Sequence, residues 1–137
     1  MLVVDASCVY EIVTEGRLAE AVRTAIVRTD ELAAPELIDV EVMGLIRRDT
    51  SAGVLHDSRS AIAVAELHDW AGVRFAHRAF SDRVWELRAN VRTWDAYYVA
   101  LAEALDAPLV TLDRRLARAT GPACRFIVPD AGVDEMT

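Results

Sequence analysis

The sequence contains no lysine: all 15 of its basic residues are arginine. Lysine is required for the phosphate-binding loop of P-loop NTPases, for Schiff-base catalysis and for the ATP-binding ion pair of protein kinases. The missing lysine therefore excludes these enzyme classes.

Glycine, proline and cysteine are also scarce, with 6, 4 and 2 copies in 137 residues, while 53% of the residues are hydrophobic. This composition is typical of a folded globular chain and not of a disordered one. We expect one domain over residues 1–137, with a polar tail from about residue 130. Cys8 and Cys124 match no metal-ligand spacing, so we expect both to be reduced and buried.

Long apolar runs are absent as well. No stretch approaches the ~20 residues that span a bilayer, and no basic segment precedes the first apolar residues. We therefore expect a soluble, cytoplasmic protein that does not associate with a membrane. The net charge of −7 disfavours nucleic-acid binding through overall charge, so any such contact must be local.

Short apolar segments alternate with amphipathic ones along the chain. This alternation predicts a three-layer α/β/α fold with a central parallel β-sheet. Strands are predicted at residues 2–4, 32–34, 73–76, 109–112 and 126–128. Helices are predicted at residues 17–28, 36–49, 54–68, 81–88 and 95–105, with Pro35 in the first turn of the second, Ser81 as a helix N-cap, and a short helix opened by Asp113.

Two acids directly follow predicted strands. Asp5 comes after the strand at 2–4, and Asp113 comes after the strand at 109–112. Because ligand sites in open parallel sheets lie outside the carboxyl ends of the strands, we expect both carboxylates at one edge of the sheet. Alternatively, each is simply a helix N-cap.

Two further acids lie in helices. Asp95 opens the predicted helix at 95–105, and Glu41 lies inside the largely apolar helix at 36–49. Asp95 has the same alternative role as an N-cap, and Glu41 that of a boundary residue with a solvated carboxylate. If these two acids converge with Asp5 and Asp113, their mutual repulsion requires protonation or a bound cation.

An all-oxygen ligand set suits Mg²⁺ or Mn²⁺. The wide spacing of His56, His68 and His77 does not predict a zinc site. A divalent ion held by carboxylates activates water for phosphodiester hydrolysis, so the acids indicate metal-dependent phosphoryl transfer to water.

Four segments carry a family resemblance: LVVDAS at 2–7, Glu41 in its helix, DAYYVALA at 95–102 and TLDRRL at 111–116. In this order and spacing they resemble the successive motifs of the PIN-domain family, in particular VapC-type ribonuclease toxins of bacterial toxin–antitoxin pairs. The resemblance implies an endoribonuclease whose Mg²⁺ (or Mn²⁺) site consists of Asp5, Glu41, Asp95 and Asp113. It also implies Ser7 and Thr111 as polar support, a cognate antitoxin, and a homodimer or a toxin–antitoxin hetero-oligomer.

Four arginines are candidates for RNA phosphate contacts, because they end the helix at 36–49 or follow the last acid: Arg47, Arg48, Arg114 and Arg115. Alternatively, they interact with a helix dipole or form surface ion pairs. Trp94 either stacks on an unpaired base or packs at the rim of the core. The helix at 36–49 has a second apolar stripe, at residues 38, 42, 45 and 46, beside the one that holds Glu41; the core takes one of the two faces, and the other offers a surface for a homodimer or an antitoxin helix.

Other functions remain open on sequence alone. A catalytically silent metal-binding interaction module and a DNA-directed PIN-like nuclease share the same acids. Aspartyl-phosphate proteins also place an aspartate after a parallel strand, but those families use a lysine that this chain lacks.

Overall fold

The computed structural model describes residues 1–132 and has a five-stranded sheet in the order β3-β2-β1-β4-β5. All neighbouring strands run parallel. The strands are β1 (Leu2–Val4), β2 (Leu32–Pro35), β3 (Val73–Phe75), β4 (Leu109–Val110) and β5 (Phe126–Ile127). Helices surround this sheet, so the predicted three-layer α/β class is confirmed.

The helices follow the strands as predicted, with one addition at the start of the chain. They are α1 (Ala6–Val13), α2 (Ala19–Ile26), α3 (Leu37–Ser51), α4 (Asp57–Asp69), α5 (Ser81–Glu86), α6 (Thr93–Ala104) and α7 (Arg114–Ala117), with a 3-10 turn at Arg78–Phe80 before α5. Across residues 1–132, no helix has the length and apolarity needed to cross a bilayer. Most of the predicted polar tail, residues 133–137, lies outside the described residues.

The strand order reverses direction between β1 and β4. From β1 the chain first builds outward to β2 and β3, and then returns on the other side to β4 and β5. Val4 and Val110 are register partners at the carboxyl ends of β1 and β4. In open α/β sheets this reversal opens the crevice in which ligands bind. The residues that follow β1 and β4 are therefore neighbours at the expected site.

The core lies between the sheet and two helices, α3 and α6, which also carry site residues. On α3, Ile38, Val42 and Ile46 are buried, so of the two apolar stripes predicted on this helix, the one at residues 38, 42, 45 and 46 faces the core and is not the free partner surface. On α6, residues 98–102 are buried without interruption, so the middle of this helix is enclosed on all sides. Burial of these side chains, worth about 1.5–3 kcal/mol for each large one, holds α6 against β1 and β2 and holds α3 against β2.

Helix α1 was not among the predicted helices. Its N-cap is Asp5, whose carboxylate accepts a hydrogen bond from the backbone N–H of Cys8 at 3.2 Å. Cys8 is buried as predicted, but Cys124 is only partly buried; both are free thiols. The prediction of a buried Cys124 was therefore wrong, because the last strand lies at the edge of the sheet.

Three predicted helix starts were also wrong. Pro35 ends β2, where it is the register partner of Phe75, and does not enter the first turn of α3. Ser81 is the first residue of α5 and not its cap; its hydroxyl donates to the carbonyl of Arg78 at 2.9 Å. Helix α6 begins at Thr93, which places Asp95 inside its first turn.

Candidate functional site

The four predicted acids line a single cavity of about 170 Å³ at the carboxyl edge of the sheet. They come from the β1–α1 junction, α3, α6 and the segment before α7. The lining residues used below are Asp5, Ser7, Glu41, Arg92, Asp95, Tyr98 and Asp113. The fold thus brings together four carboxylates that are far apart in the sequence.

Asp5 is the most rigidly held of the acids. One carboxylate oxygen accepts hydrogen bonds from the Ser7 hydroxyl at 2.5 Å and from the Cys8 N–H at 3.2 Å, and the other accepts from the Thr111 hydroxyl. Only 5% of Asp5 is exposed. Burial raises the pKa of this carboxyl above its ordinary value, although the hydrogen bonds from Ser7 and Thr111 act to lower it.

Ser7 and Thr111 connect the ends of β1 and β4. The Ser7 hydroxyl accepts a hydrogen bond from the N–H of Leu112 at 3.2 Å, and the Thr111 hydroxyl accepts one from the N–H of Asp113 at 3.0 Å. Each hydroxyl therefore bridges the Asp5 carboxylate and the segment that carries Asp113. This geometry fixes the distance between the two strand-terminal acids.

Asp113 is both a helix cap and a cavity residue. Its Oδ1 accepts hydrogen bonds from the N–H groups of Arg115 at 2.9 Å and Leu116 at 3.2 Å, which makes it the N-cap of α7. Its Oδ2 faces Arg92 at 3.7 Å. The two interpretations drawn from the sequence are therefore compatible, because each uses a different oxygen.

Glu41 has the least compensated carboxylate. Its Oε1 is buried and has no hydrogen-bond partner within residues 1–132, and the same holds for the buried hydroxyl of its neighbour Tyr98. Burial raises the pKa of Glu41 to about 7; the nearby Tyr98 hydroxyl acts to lower it, and the charges of Asp95 and Asp5 raise it further. Burial likewise raises the pKa of Tyr98 far above its usual range. A buried carboxylate oxygen without a partner is costly unless a proton or a cation satisfies it.

Asp95 lies beside the only basic side chain that lines this cavity in the described part of the chain. Arg92 Nε is 3.4 Å from Asp95 Oδ2. Burial raises the pKa of Asp95; the Arg92 charge lowers it and the Asp113 charge raises it. The Arg92 side chain is 82% exposed, so its compensation of the buried acids is weak.

Arg92 and Tyr98 are site residues that the sequence analysis did not identify. Tyr98 was given no role beyond its place in the motif at 95–102, and Arg92 was not singled out. The available signal was their spacing: each is three residues from Asp95, the separation that places side chains on one helical face.

The donor set fits a divalent cation of the Mg²⁺ or Mn²⁺ type. All the candidate ligands are carboxylate oxygens, one of them is buried without a partner, and burial disfavours the charged forms of three. Among residues 1–132, no three aspartate, glutamate, histidine or cysteine side chains are arranged closely enough to hold a metal ion as they stand. The four carboxylates therefore share one cavity without forming a preassembled set of ligands.

Two larger cavities flank the acids. One, of about 370 Å³, is lined by Asn90, Val91, Arg92, Asp95, Asp113, Arg115, Leu116 and Ala119. The other, of about 430 Å³, is lined by Val40, Glu41, Gly44, Leu45, Arg92, Trp94 and Asp95. Because Arg92 and Asp95 belong to both, the two cavities meet at the acidic site.

Of the predicted RNA-contact residues, Arg115 and Trp94 line these flanking cavities. Arg47, Arg48 and Arg114 do not. Arg48 instead pairs with Asp49 at 3.0 Å, and Arg114 with Asp130 at 3.4 Å. The structure therefore brings two of the five candidates to the acids.

Comparison with known proteins agrees with this geometry. The profile of the PIN domain family matches residues 2–122. Ribonuclease VapC1 of Mycobacterium tuberculosis is 35% identical over 125 residues, which cover 90% of this chain and 94% of the relative. Ribonuclease VapC12 is 34% identical over 88% and 93% of the two chains, and ribonuclease VapC9 is 33% identical over 93% and 98%, both from the same organism.

A solved structure shares the fold. The crystal structure of PAE2754 from Pyrobaculum aerophilum aligns with a TM-score of 0.65 over 90% of this chain and 87% of that chain, at 20% identity. Family profile, curated relatives and fold thus agree over nearly the whole described chain. The protein belongs to the PIN-domain family.

Proposed function

We propose that this protein is a divalent-metal-dependent endoribonuclease, acting as the toxin of a toxin–antitoxin pair in the cytoplasm. One observation carries the proposal: four carboxylates from four separate segments line one cavity with too little positive charge to balance them. Kinship with relatives named ribonucleases over about nine-tenths of the chain supports RNA hydrolysis as the reaction.

The acids have different roles in this proposal. Asp5 and Asp95 bind the metal directly, while Glu41 and Asp113 bind it directly or through water. A Mg²⁺ or Mn²⁺ ion held there supplies an activated water and neutralises charge at the leaving oxygen. Ser7 and Thr111 keep Asp5 oriented through their hydrogen bonds. None of the three histidines lines the cavity in the described chain, which fits a reaction that needs no histidine base.

The flanking cavities supply the RNA contacts in this proposal. Trp94 is 55% exposed beside Glu41 and Leu45, where its ring is accessible for stacking on an unpaired base. On the other side, Arg115 and Asn90 provide donors for a phosphate or a base. Arg47, Arg48 and Arg114 contribute long-range attraction from the surface.

A partner surface lies next to the site. On α3, Val40 and Met43 are exposed on the side opposite the buried stripe, and Gly44 is exposed beside them. We propose that this face binds the cognate antitoxin or the second copy of a homodimer. Because the acidic cavity lacks compensating positive charge, it also suits the binding of a basic segment of the antitoxin.

The decisive experiment compares Asp95→Asn with the wild type on total RNA and on a matched DNA pool, in Mg²⁺, in Mn²⁺ and in EDTA. We expect discrete RNA cuts from the wild type and at least about a 100-fold loss for Asp95→Asn, because the amide cannot replace a charged metal ligand. Asp5→Ala and EDTA should abolish the cuts as well.

Asp106→Asn is the matched control. Asp106 is exposed outside the site and has a left-handed backbone (φ 49°), which asparagine tolerates. Wild-type cleavage by Asp95→Asn would refute the site assignment. Cuts confined to DNA would identify a DNA-directed nuclease, and metal binding without any cleavage would identify a catalytically silent module.

A further inference from the structure

Arg92 contacts the acids at particular oxygens. Its guanidinium faces Asp95 Oδ2 at 3.4 Å and Asp113 Oδ2 at 3.7 Å. Asp113 Oδ1 is already committed to the N–H groups of α7, so Oδ2 is the oxygen left for a cation. A metal ion and the guanidinium therefore compete for the same carboxylate oxygens.

We propose that Arg92 is a displaceable counter-cation of this site: it balances Asp95 and Asp113 when the metal is absent, and it turns outward to bind an RNA phosphate when the metal is present. The metal half of this proposal needs only the acidic site. The phosphate half rests on the proposed ribonuclease function.

The environment of Arg92 permits the displacement. Its side chain is 82% exposed, and both contacts are longer than a strong charge-assisted hydrogen bond, which measures about 2.7–2.9 Å. Arg92 is the N-cap residue of α6, but its side chain makes no capping hydrogen bond in the described chain. Within the described chain, little burial and no capping hydrogen bond are therefore lost when the guanidinium leaves the acids.

The location of Arg92 also explains where it goes. Arg92 lines both flanking cavities as well as the acidic one. An RNA strand that runs from the Trp94 side to the Arg115 side would therefore pass Arg92 and the metal site. A planar guanidinium binds a phosphate through two parallel hydrogen bonds. When it turns outward, Arg92 therefore still borders both flanking cavities, where the proposal places the RNA phosphate.

The first test measures Mn²⁺ binding to the RNA-free protein by isothermal titration. We expect Arg92→Gln to bind Mn²⁺ about 3- to 10-fold more tightly than the wild type, since the competing charge is gone. Arg92→Lys keeps the charge and should stay within about twofold of the wild type. Arg88→Gln, which removes an exposed arginine stacked on Trp85, is the control for net charge.

The second test measures the affinity of the Mg²⁺-loaded protein for a mixed-sequence 2′-O-methyl RNA oligonucleotide, which resists cleavage. Arg92→Gln should bind it about 10-fold more weakly. The slope of log affinity against log salt concentration should also become shallower, by the amount expected for one lost phosphate contact. Arg88→Gln should change neither quantity.

Unchanged or weaker Mn²⁺ binding by Arg92→Gln would overturn the counter-cation role, and unchanged oligonucleotide affinity would overturn the phosphate role. If the wild type cleaves no RNA but Arg92→Gln still tightens Mn²⁺ binding, the nuclease proposal fails and the counter-cation role stands. Metal affinity and cleavage therefore report on the two proposals separately.

Discussion

At the scale of single residues, the site acids differ in how many of their oxygens are already engaged. Both oxygens of Asp5 accept hydrogen bonds, Asp113 uses one oxygen to cap a helix, and Glu41 has a buried oxygen with no partner. Hydrogen bonds therefore hold Asp5 in place. The protonation of Glu41 instead depends mainly on the burial of its carboxylate.

This difference predicts a pH dependence of stability in the metal-free protein. The pKa of Glu41 is raised from 4.5 to about 7 in the folded state, mainly by burial. Between these values the folded state binds more protons than the unfolded one, so the free energy of unfolding falls as pH rises. Each pKa unit corresponds to about 1.4 kcal/mol, and because Glu41 is only partly buried we expect a loss of about 1–2 kcal/mol between pH 5 and pH 8.

Urea unfolding in EDTA at several pH values checks this prediction. Glu41→Gln should flatten the decline between pH 6 and pH 8, since the amide does not titrate. Glu31→Gln, an exposed glutamate outside the site, should leave the decline unchanged. A Glu41→Gln protein that loses as much stability as the wild type over this range would show that another group titrates.

At the scale of helices and strands, local patterns predicted the elements that carry the motifs. The strand at 2–4, the strand beginning at 109 and the helix holding DAYYVALA were predictable, because a short apolar run or an enclosed helix is visible in a few adjacent residues. Helix α1 was missed although its buried residues Ala6, Val9 and Val13 have helical spacing. Pro35 was misplaced because pairing with β3 determines its conformation, and that pairing is not local.

The same limit applies to the candidate site. The four acids were predictable from their positions after strands and within motifs. The basic residues were not: Arg47, Arg48 and Arg114 were chosen for closeness in sequence, yet Arg48 and Arg114 pair with other acids, and Arg92 lines the cavity instead. Which arginine reaches the acids depends on the direction of each side chain in the folded protein.

Helix α3 yields a prediction about stability and binding together. A Cβ added at Gly44 meets no atom within 4 Å, and the residue lies in the interior of a regular helix. Gly44→Ala should therefore stabilise the protein by about 0.5–1 kcal/mol in urea unfolding. Because Gly44 lines the cavity that holds Glu41 and Trp94, the added methyl should also weaken oligonucleotide binding.

Gly53 is the contrasting control for Gly44. A Cβ added at Gly53 also meets no atom within 4 Å, but the backbone there is left-handed, with φ at +75°. Gly53→Ala should destabilise the protein, because an alanine is strained in that conformation. If Gly44→Ala instead destabilised the protein, Gly44 would have to contact atoms outside the described chain.

At the scale of the whole molecule, the acidic site connects distant parts of one chain. Asp5, Glu41, Asp95 and Asp113 span most of the sequence and belong to separate elements around the switch point of the sheet. The protein also carries a net charge of −7, so this cluster lies within an already negative molecule. In the proposed site, a bound cation would link β1, α3, α6 and the start of α7, and it would relieve the repulsion among their acids.

This linkage predicts that a divalent cation stabilises the whole fold and not one segment of it. Mg²⁺ or Mn²⁺ at about 100 times its Kd should add about 2.7 kcal/mol to the free energy of unfolding, provided that it binds only the folded state. Thermal unfolding should remain a single transition that shifts upward, and EDTA should reverse the shift. NaCl at matched ionic strength controls for general screening of the net charge, and Asp95→Asn should reduce the shift with the divalent ion but not with NaCl. If NaCl produced the full shift, the effect would come from the overall charge, and the four acids would not act as a common cation site.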